Sequence, residues 1–361
     1  MEDVKILLAL LRVIIGRDYF FPTSKTIKNF ETAFATLVSS AHAFGVSNGT
    51  DALIMALKAC GIQAGDEVIV PASGFIATAS CAAWIGARPV FVDIDFRTFN
   101  INPSLIENYI TIKTKAIIVT HLNGRMADMD KISAIAKKHN LFLIEDAAQA
   151  VGSKYRGESA GHYGDMACFS FNPSKALAAY GDGGAVVTNN ISLAEKISLM
   201  RTYGARFKEI SAHHKIIGVA SRLGALQAAI LLIKLENISS VIEAWRHNYF
   251  LYFEALRGVG DLILPEVSDD FFINGYRFVV LTKKRNDLQQ FLRKNGVNSH
   301  IQYGVSIPYF EAFSYLQHKR GEFPESERVA FESIVLPTAP IFRENDIYRA
   351  VALIKKFFAN L

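Results

Sequence analysis

The run Ala167-Cys-Phe-Ser-Phe-Asn-Pro-Ser-Lys-Ala-Leu-Ala-Ala-Tyr-Gly-Asp-Gly-Gly-Ala-Val-Val187 sets one lysine between two apolar, β-prone segments. Residues 167–171 and 184–188 read as strands, and Gly181, Gly183 and Gly184 follow Lys175 closely. Glycines there let backbone approach closely, so the lysine is expected on a tight connection inside an α/β core. Desolvating an ammonium is costly unless it is paired or neutralised, and a Schiff base with an aldehyde cofactor neutralises it. A surface-loop lysine reaching into water is the plain alternative.

Upstream, short β-rich runs at 42–46, 67–70, 89–92, 116–120 and 141–144 alternate with stretches of helical spacing at 51–60, 75–86, 103–109 and 128–139. Residues 27–37 also have helical spacing. Repeated βα units call for a mainly parallel sheet covered on both faces. Sites in such sheets lie beyond the carboxyl ends of the strands.

Three groups fall at those ends. Gly49-Thr50 follows a strand and opens a helix, where free N–H groups, the helix dipole and the Thr50 hydroxyl make an anion cradle. An ordinary capped helix start is its alternative. Glu145-Asp146-Ala-Ala-Gln149 closes an apolar strand; Asp146 could hold a pyridinium N–H and Gln149 a ring oxygen, with a helix N-cap as the plainer role for Asp146. Lys175 with Ser170 and Ser174 could supply a covalent anchor and phosphate hydrogen bonds. Phe75 could stack on a flat heteroaromatic ring, or simply belong to the core. A phosphate cradle, an acid for a ring nitrogen, a stacking ring and a lysine at successive strand ends are together what pyridoxal phosphate (PLP) requires. No GxGxxG or GxxxxGK[ST] motif is present, so a dinucleotide or P-loop site is unsupported.

Composition narrows the rest. With 361 residues, half of them hydrophobic, the chain is long enough for two domains. We expect an N-terminal helix and connector (1–35), a large cofactor-binding domain (36–245) and a small C-terminal domain (246–361). In the last, strands are expected at 278–281, 297–301 and 334–336 and helices at 285–295 and 345–359, with a helix at 234–246 linking the domains. The net charge of +5 is spread along the chain without a basic run, so no nucleic-acid partner is expected. Cys60, Cys81 and Cys168 have neither disulfide-framework nor zinc-ligand spacing and read as buried thiols of a cytoplasmic protein. The nine histidines form no ligand cluster, so no metal is expected. The apolar stretch 6–15 is too short to span a bilayer, is interrupted by Arg12 and lacks a cleavage site. It reads as a helix packed on the body or at a subunit contact, and membrane contact is not expected.

From about Phe30 onward the chain resembles the DegT/DnrJ/EryC1/StrS family of fold-type I, PLP-dependent sugar aminotransferases. The resemblance is densest in Ser47-Asn-Gly-Thr50, Pro71 to Thr78, Glu145 to Gln149, Phe169-Ser-Phe-Asn-Pro-Ser-Lys175 and Gly181-Asp-Gly-Gly184. Arg201-Thr-Tyr-Gly204, 221–229 and Val335-Leu-Pro337 add to it. It implies an α/β fold with a seven-stranded sheet and a smaller C-terminal α/β domain, and a homodimer with active sites at the interface. It also implies that Lys175 anchors PLP and shuttles the proton, and that Asp146 pairs with the ring nitrogen. Gln149 would meet the ring hydroxyl, Gly49, Thr50 and Ser170 would hold the phosphate, and Phe75 would stack on the ring.

The activity implied is amino transfer from L-glutamate to a nucleotide-linked keto-sugar, in surface-polysaccharide or antibiotic biosynthesis. Arg222 is a candidate carboxylate or phosphate partner, since a guanidinium fork suits both, with a surface salt bridge as its alternative. Some positions depart from the family pattern. Ala220 precedes Ser221-Arg222 where an asparagine reaching the partner's cofactor phosphate is usual, a loss of about 1–3 kcal/mol. Gly224 stands where an acid is common, Asn123 replaces a tyrosine, and Tyr303-Gly-Val-Ser-Ile-Pro308 lacks a histidine often near substrate. The altered substrate half and the hydrophobic N-terminus motivate one rival reading, a keto substrate that is not a sugar nucleotide; a catalytically silent homologue is the other, and the intact Lys175, Asp146 and Gln149 count against it.

Overall fold

The computed structural model describes residues 2–206 and 209–360. The chain opens with helices α1 (Glu2–Ile15) and α2 (Lys25–Leu37), the latter capped by the Ser24 hydroxyl, which accepts the Ile27 N–H at 3.2 Å. There follow β1 (His42–Val46), α3 (Gly49–Ala59), β2 (Glu67–Pro71), α4 (Ala77–Trp84), β3 (Arg88–Val92), α5 (Pro103–Ile106) and β4 (Thr114–Thr120). Next come α6 (Met129–Lys138), β5 (Phe142–Asp146), two short strands β6 (Lys154–Tyr155) and β7 (Glu158–Ser159), β8 (Met166–Ser170), β9 (Gly184–Thr188) and α7 (Ile191–Met200). The C-terminal third holds α8 (Ala225–Leu235), α9 (Ile238–Ala255), β10 (Phe271–Phe272), β11 (Phe278–Leu281), α10 (Arg285–Lys294), α11 (Pro324–Glu332), β12 (Ser333–Leu336) and α12 (Glu344–Ala359).

Seven strands form the central sheet in the order β1-β9-β8-β5-β4-β2-β3, in which only β9 runs antiparallel to its neighbours. All seven coincide with the expected runs to within two residues at either end. The strands are apolar along their whole length because both faces are covered. Alternate residues divide between two cores. Ile69, Ile117, Leu143, Ala167 and Val187 point to the layer of α2, α6 and α8, whereas Val68, Ile118, Ile144, Cys168 and Val186 point to that of α3, α4 and α7. The three cysteines are buried and unpaired. A third apolar cluster gathers α9, β11, α10, β12 and α12 around Tyr252, Phe278, Leu292 and Ile354.

Helix α1 packs on α8 through Ile6 and Val13, while Leu7, Leu8, Leu11 and Ile14 stay exposed. Among the described residues no single helix is long and apolar enough to cross a membrane.

Two local expectations are corrected. The stretch 234–246 is not one helix: α8 and α9 meet at Glu236-Asn237 with a 67° bend, which lets α8 stay on the sheet while α9 serves the third core. Residues 297–301 form no strand; only an isolated bridge joins His300 to Val335. Its backbone turns away to bring side chains 300–303 to the large sheet, which a continued ladder would prevent.

Candidate active site

The carboxyl ends of β1, β2, β4, β5 and β8, together with the 171–183 connection, form one wall of a cavity of 720 Å³. Residues 276–277 and 300–303 form the facing wall. Gly49, Thr50, Phe75, Asp146, Gln149, Ser170 and Lys175 all line this cavity, though they are spread over 127 residues of sequence. Arg222 does not.

The cradle is built by close approach. Asn48 caps α3, its Oδ1 accepting the Asp51 N–H at 2.8 Å, so the N–H groups of Gly49 and Thr50 have no intrahelical acceptor. A Cβ at Gly49 would sit 2.9 Å from Ser170 Cβ, and one at Gly184 would sit 2.5 Å from the Asn48 carbonyl carbon and 2.9 Å from the Gly49 nitrogen. Gly184→Ala therefore pushes the cradle outward. With an overpacking cost of about 1–3 kcal/mol, cofactor retention should loosen about 10- to 100-fold, read from the dissociation constant of PLP in equilibrium dialysis. The 221–222 segment braces the same loop: Ser221 Oγ donates to Asp51 Oδ2 at 2.7 Å and the Arg222 N–H donates to Ser47 Oγ at 3.2 Å. The Arg222 guanidinium itself lies 5.1 Å from the Phe21 ring and 5.4 Å from the Tyr203 ring, so its packing is aromatic and not that of a surface salt bridge.

Asp146, 5% exposed, ends β5. Its Oδ2 accepts the Thr78 hydroxyl at 2.6 Å and its Oδ1 the Ala148 N–H at 3.3 Å; Thr120 stands 3.5 Å behind Thr78. Burial pushes its carboxyl up, and Thr78, Ala148 and the field of Lys175 offset this only in part. It caps no helix, because residues 147–150 form a turn.

The adjacent Glu145 is fully buried and has the opposite character. It receives His121 Nε2 at 2.8 Å and the N–H groups of Gly161, Tyr163 and Gly164 at 2.8, 2.9 and 2.6 Å. Burial alone would raise its carboxyl, but His121 and these N–H groups outweigh burial and hold it low. The Ala127 N–H donates to His121 Nδ1, which places the ring proton on Nε2, and the His121 N–H donates to the Asp146 carbonyl. Glu145→Gln would turn an amide NH2 toward one of these donors and should cost about 3 kcal/mol. The wild-type advantage is complete above the ordinary carboxyl value of 4.5 and is lost as pH falls through the lowered one, so urea midpoints of the two proteins should converge in acid.

Gln149 Oε1 accepts the Asn123 N–H at 2.8 Å, which fixes the amide with Nε2 facing Tyr303 Oη at 3.5 Å. Asn123 is left-handed (φ 60°), a conformation asparagine tolerates. The half-buried Lys175 places Nζ 5.3 Å from the centre of the Tyr276 ring. Phe75 is 54% exposed on the cavity rim, 6.2 Å from the Tyr303 ring, and is therefore not a core residue.

Sequence reasoning missed Thr78, Tyr276, Arg277, His300 and Gln302. Thr78 sits inside a stretch already singled out and shows its use only when β5 lies beside it. Tyr276 and Arg277 come just before β11, at the strand end where Asn274 ties the 149–151 turn to Tyr276. Asn274 Nδ2 donates to the Gln149 and Val151 carbonyls at 2.9 and 3.0 Å, and its Oδ1 accepts the Tyr276 N–H at 3.0 Å. Two of the departures, at Ile307 and Pro308, are buried and do not line the cavity; Ile307 packs into the core of the α3 layer.

The sequence profile of the DegT/DnrJ/EryC1/StrS aminotransferase family matches residues 8–355. A pleiotropic regulatory protein of Geobacillus stearothermophilus is 40% identical over 97% of this chain and 95% of its own length. The dTDP-3-amino-3,6-dideoxy-alpha-D-galactopyranose transaminase of Aneurinibacillus thermoaerophilus is also 40% identical, over 92% of this chain and 90% of its own. The crystal structure of S. venezuelae DesV in complex with a ketimine intermediate superposes with a TM-score of 0.94 at 34% identity, covering 98% of this chain and 94% of that one. With a profile match over nearly its whole length and this fold, the chain belongs to the DegT/DnrJ/EryC1/StrS aminotransferase family.

Proposed function

We propose that this protein is a PLP-dependent transaminase that moves the amino group of L-glutamate onto the ketone of a nucleotide-linked sugar. It would act as a cytoplasmic homodimer with active sites at the subunit interface, in amino-sugar biosynthesis for a surface polysaccharide or an antibiotic. The observation that carries this reading is the meeting of Lys175, Asp146 and the Gly49–Thr50 cradle in one cavity, in a chain 40% identical to a dTDP-sugar transaminase.

The residues fit the cofactor. The cradle has no room for a Cβ at positions 49 and 184, so backbone N–H groups can meet a phosphate directly. Asp146 is a buried acid whose raised carboxyl is stabilised by a positive partner. When bound, PLP supplies an electron-poor ring that draws charge from the carbon losing its proton. The chain does the rest. Lys175 Nζ would anchor the cofactor, then take the proton from that carbon and return it. Asp146 would hold the ring N–H, Gln149 Nε2 would donate to the ring oxygen, and Thr50 and Ser170 hydroxyls would complete the phosphate contacts. Phe75 would cover one ring face and keep water off it. Because Arg222 lies outside this chain's cavity, a substrate contact by it would cross the subunit interface.

The test is direct. Protein loaded with PLP should be yellow, lose its visible band with L-glutamate, and regain it with nucleotide-linked keto-sugars and, by reversal of the first half-reaction, with 2-oxoglutarate, but not with free keto-sugars. Recovery with a non-nucleotide ketone other than 2-oxoglutarate, and with no keto-sugar nucleotide, would overturn the substrate reading, and a protein that gains no band with PLP would overturn the enzyme reading.

A further inference from the structure

The wall facing Lys175 carries a guanidinium with no acid to match it. Arg277 lines the cavity, and among the described residues no carboxylate pairs with it. Its Nη1 donates to His300 Nε2 at 2.7 Å and its Nη2 to Tyr276 Oη at 3.3 Å. Its Nε is buried without a partner. A guanidinium has five N–H donors in a rigid fork, so these two contacts leave most of it unused. Burial and the Arg277 charge push the His300 imidazole down, so it accepts from the guanidinium and adds no positive charge. A partly buried cation of this kind, oriented by two neutral groups, is incomplete without an anion.

The position of the fork indicates which anion. The Arg277 guanidinium carbon and Lys175 Nζ lie 4.8 and 5.3 Å from the centre of the same Tyr276 ring. Arg277 and Lys175 Nζ are therefore no more than about 10 Å apart, so an anion on Arg277 is within reach of a small molecule whose carbon reacts at Lys175. The cofactor's phosphate has a cradle of its own at Gly49, Thr50 and Ser170, and a sugar nucleotide's diphosphate hangs from the anomeric carbon, away from the ketone. A planar carboxylate, bound by two parallel N–H groups, suits the fork.

We propose that Arg277 is the specificity-determining carboxylate receptor of this site, an assignment that rests on the transaminase reading above. The carboxylate comes either from the amino donor or from an acidic keto-sugar, and the experiment separates the two. PLP-loaded wild type, Arg277→Gln and Arg277→Lys are titrated calorimetrically with glutarate, a dicarboxylate that cannot react. They are then titrated with UDP, UDP-glucose and UDP-glucuronate.

If the donor's carboxylate is held, Arg277→Gln weakens glutarate at least about tenfold and raises the KM for L-glutamate more than it lowers kcat, with Arg277→Lys between the two. If the sugar's carboxylate is held, a wild-type preference for UDP-glucuronate over UDP-glucose disappears in Arg277→Gln. Unchanged binding of both glutarate and UDP-glucuronate overturns the proposal. Equal weakening of UDP, UDP-glucose and UDP-glucuronate overturns it too, because the fork would then serve the diphosphate. Arg277→Lys keeps the cation and its stem, so the test survives if the glutamine variant fails to fold. Glutarate binding needs no turnover, so it remains decisive even if no sugar nucleotide is aminated.

Discussion

Lys175→Ala is expected to slow the half-reaction with L-glutamate at least about 10⁴-fold, because one side chain would both anchor the cofactor and move the proton. The fold should be nearly indifferent to the change. Lys175 is half-buried on the 171–183 connection, with Nζ 5.3 Å from the centre of the Tyr276 ring. Such a contact is worth about 0.5–1 kcal/mol. The variant should thus melt within a few degrees of the wild type and keep its oligomeric state in gel filtration. Loss of the visible band on adding glutamate, followed over hours, is the measurement. A variant that still bleaches at a tenth of the wild-type rate would remove Lys175 from both roles.

Asp146→Asn should separate activity from stability in the opposite sense. Removing the charge that would hold the ring protonated is expected to lower kcat about 10²- to 10³-fold, the usual size for losing one preorganised electrostatic contact. The folded protein without cofactor, in contrast, should gain. The Asp146 carboxyl titrates higher in the fold than the ordinary 3.8, so its ionisation opposes folding. Its contribution to stability is complete below that ordinary value and is lost as pH rises through the raised one. At pH 7 the cofactor-free asparagine variant should unfold at higher urea than the cofactor-free wild type, and the gap should close toward pH 4. Adding PLP should reverse the order, since only the wild type has a charge for the ring to satisfy. An asparagine variant that melts lower than the wild type without cofactor would show that the buried charge is already compensated.

Much of this was legible in the sequence because the signals were local. Each strand of the large sheet is a short apolar run, and each of the seven candidate cofactor residues lining the cavity sits within five residues of a strand's carboxyl end, where parallel sheets place their sites. What could not be read is whatever depends on elements distant in sequence. Thr78 becomes the partner of Asp146 only when β5 lies near α4. His300 reaches the cavity because the 300–303 backbone leaves β12 after a single bridge, and Tyr276 and Arg277 stand there because Asn274 ties them to the 149–151 turn; no periodicity announces either. Similarly, the apolar run through 234–246 hides a bend that only two competing cores can demand. Departures at Ile307 and Pro308 look chemical in the sequence and prove to be packing, whereas Arg277 attracts no notice there and stands in the cavity.

The two walls of that cavity come from different parts of the gene. One wall is encoded before residue 185 and the other after residue 275. On the proposed reading, amino-group chemistry and substrate choice lie in separable stretches, joined by Asn274, by the Gln149–Tyr303 hydrogen bond and by Ile307 in the core of the α3 layer. A lineage could exchange the second stretch for another and acquire a new ketone while its catalytic half stayed untouched, provided that Tyr303, Ile307 and above all Asn274 remained. Recombination between relatives with a crossover just upstream of it should yield working hybrids far more often than crossovers elsewhere.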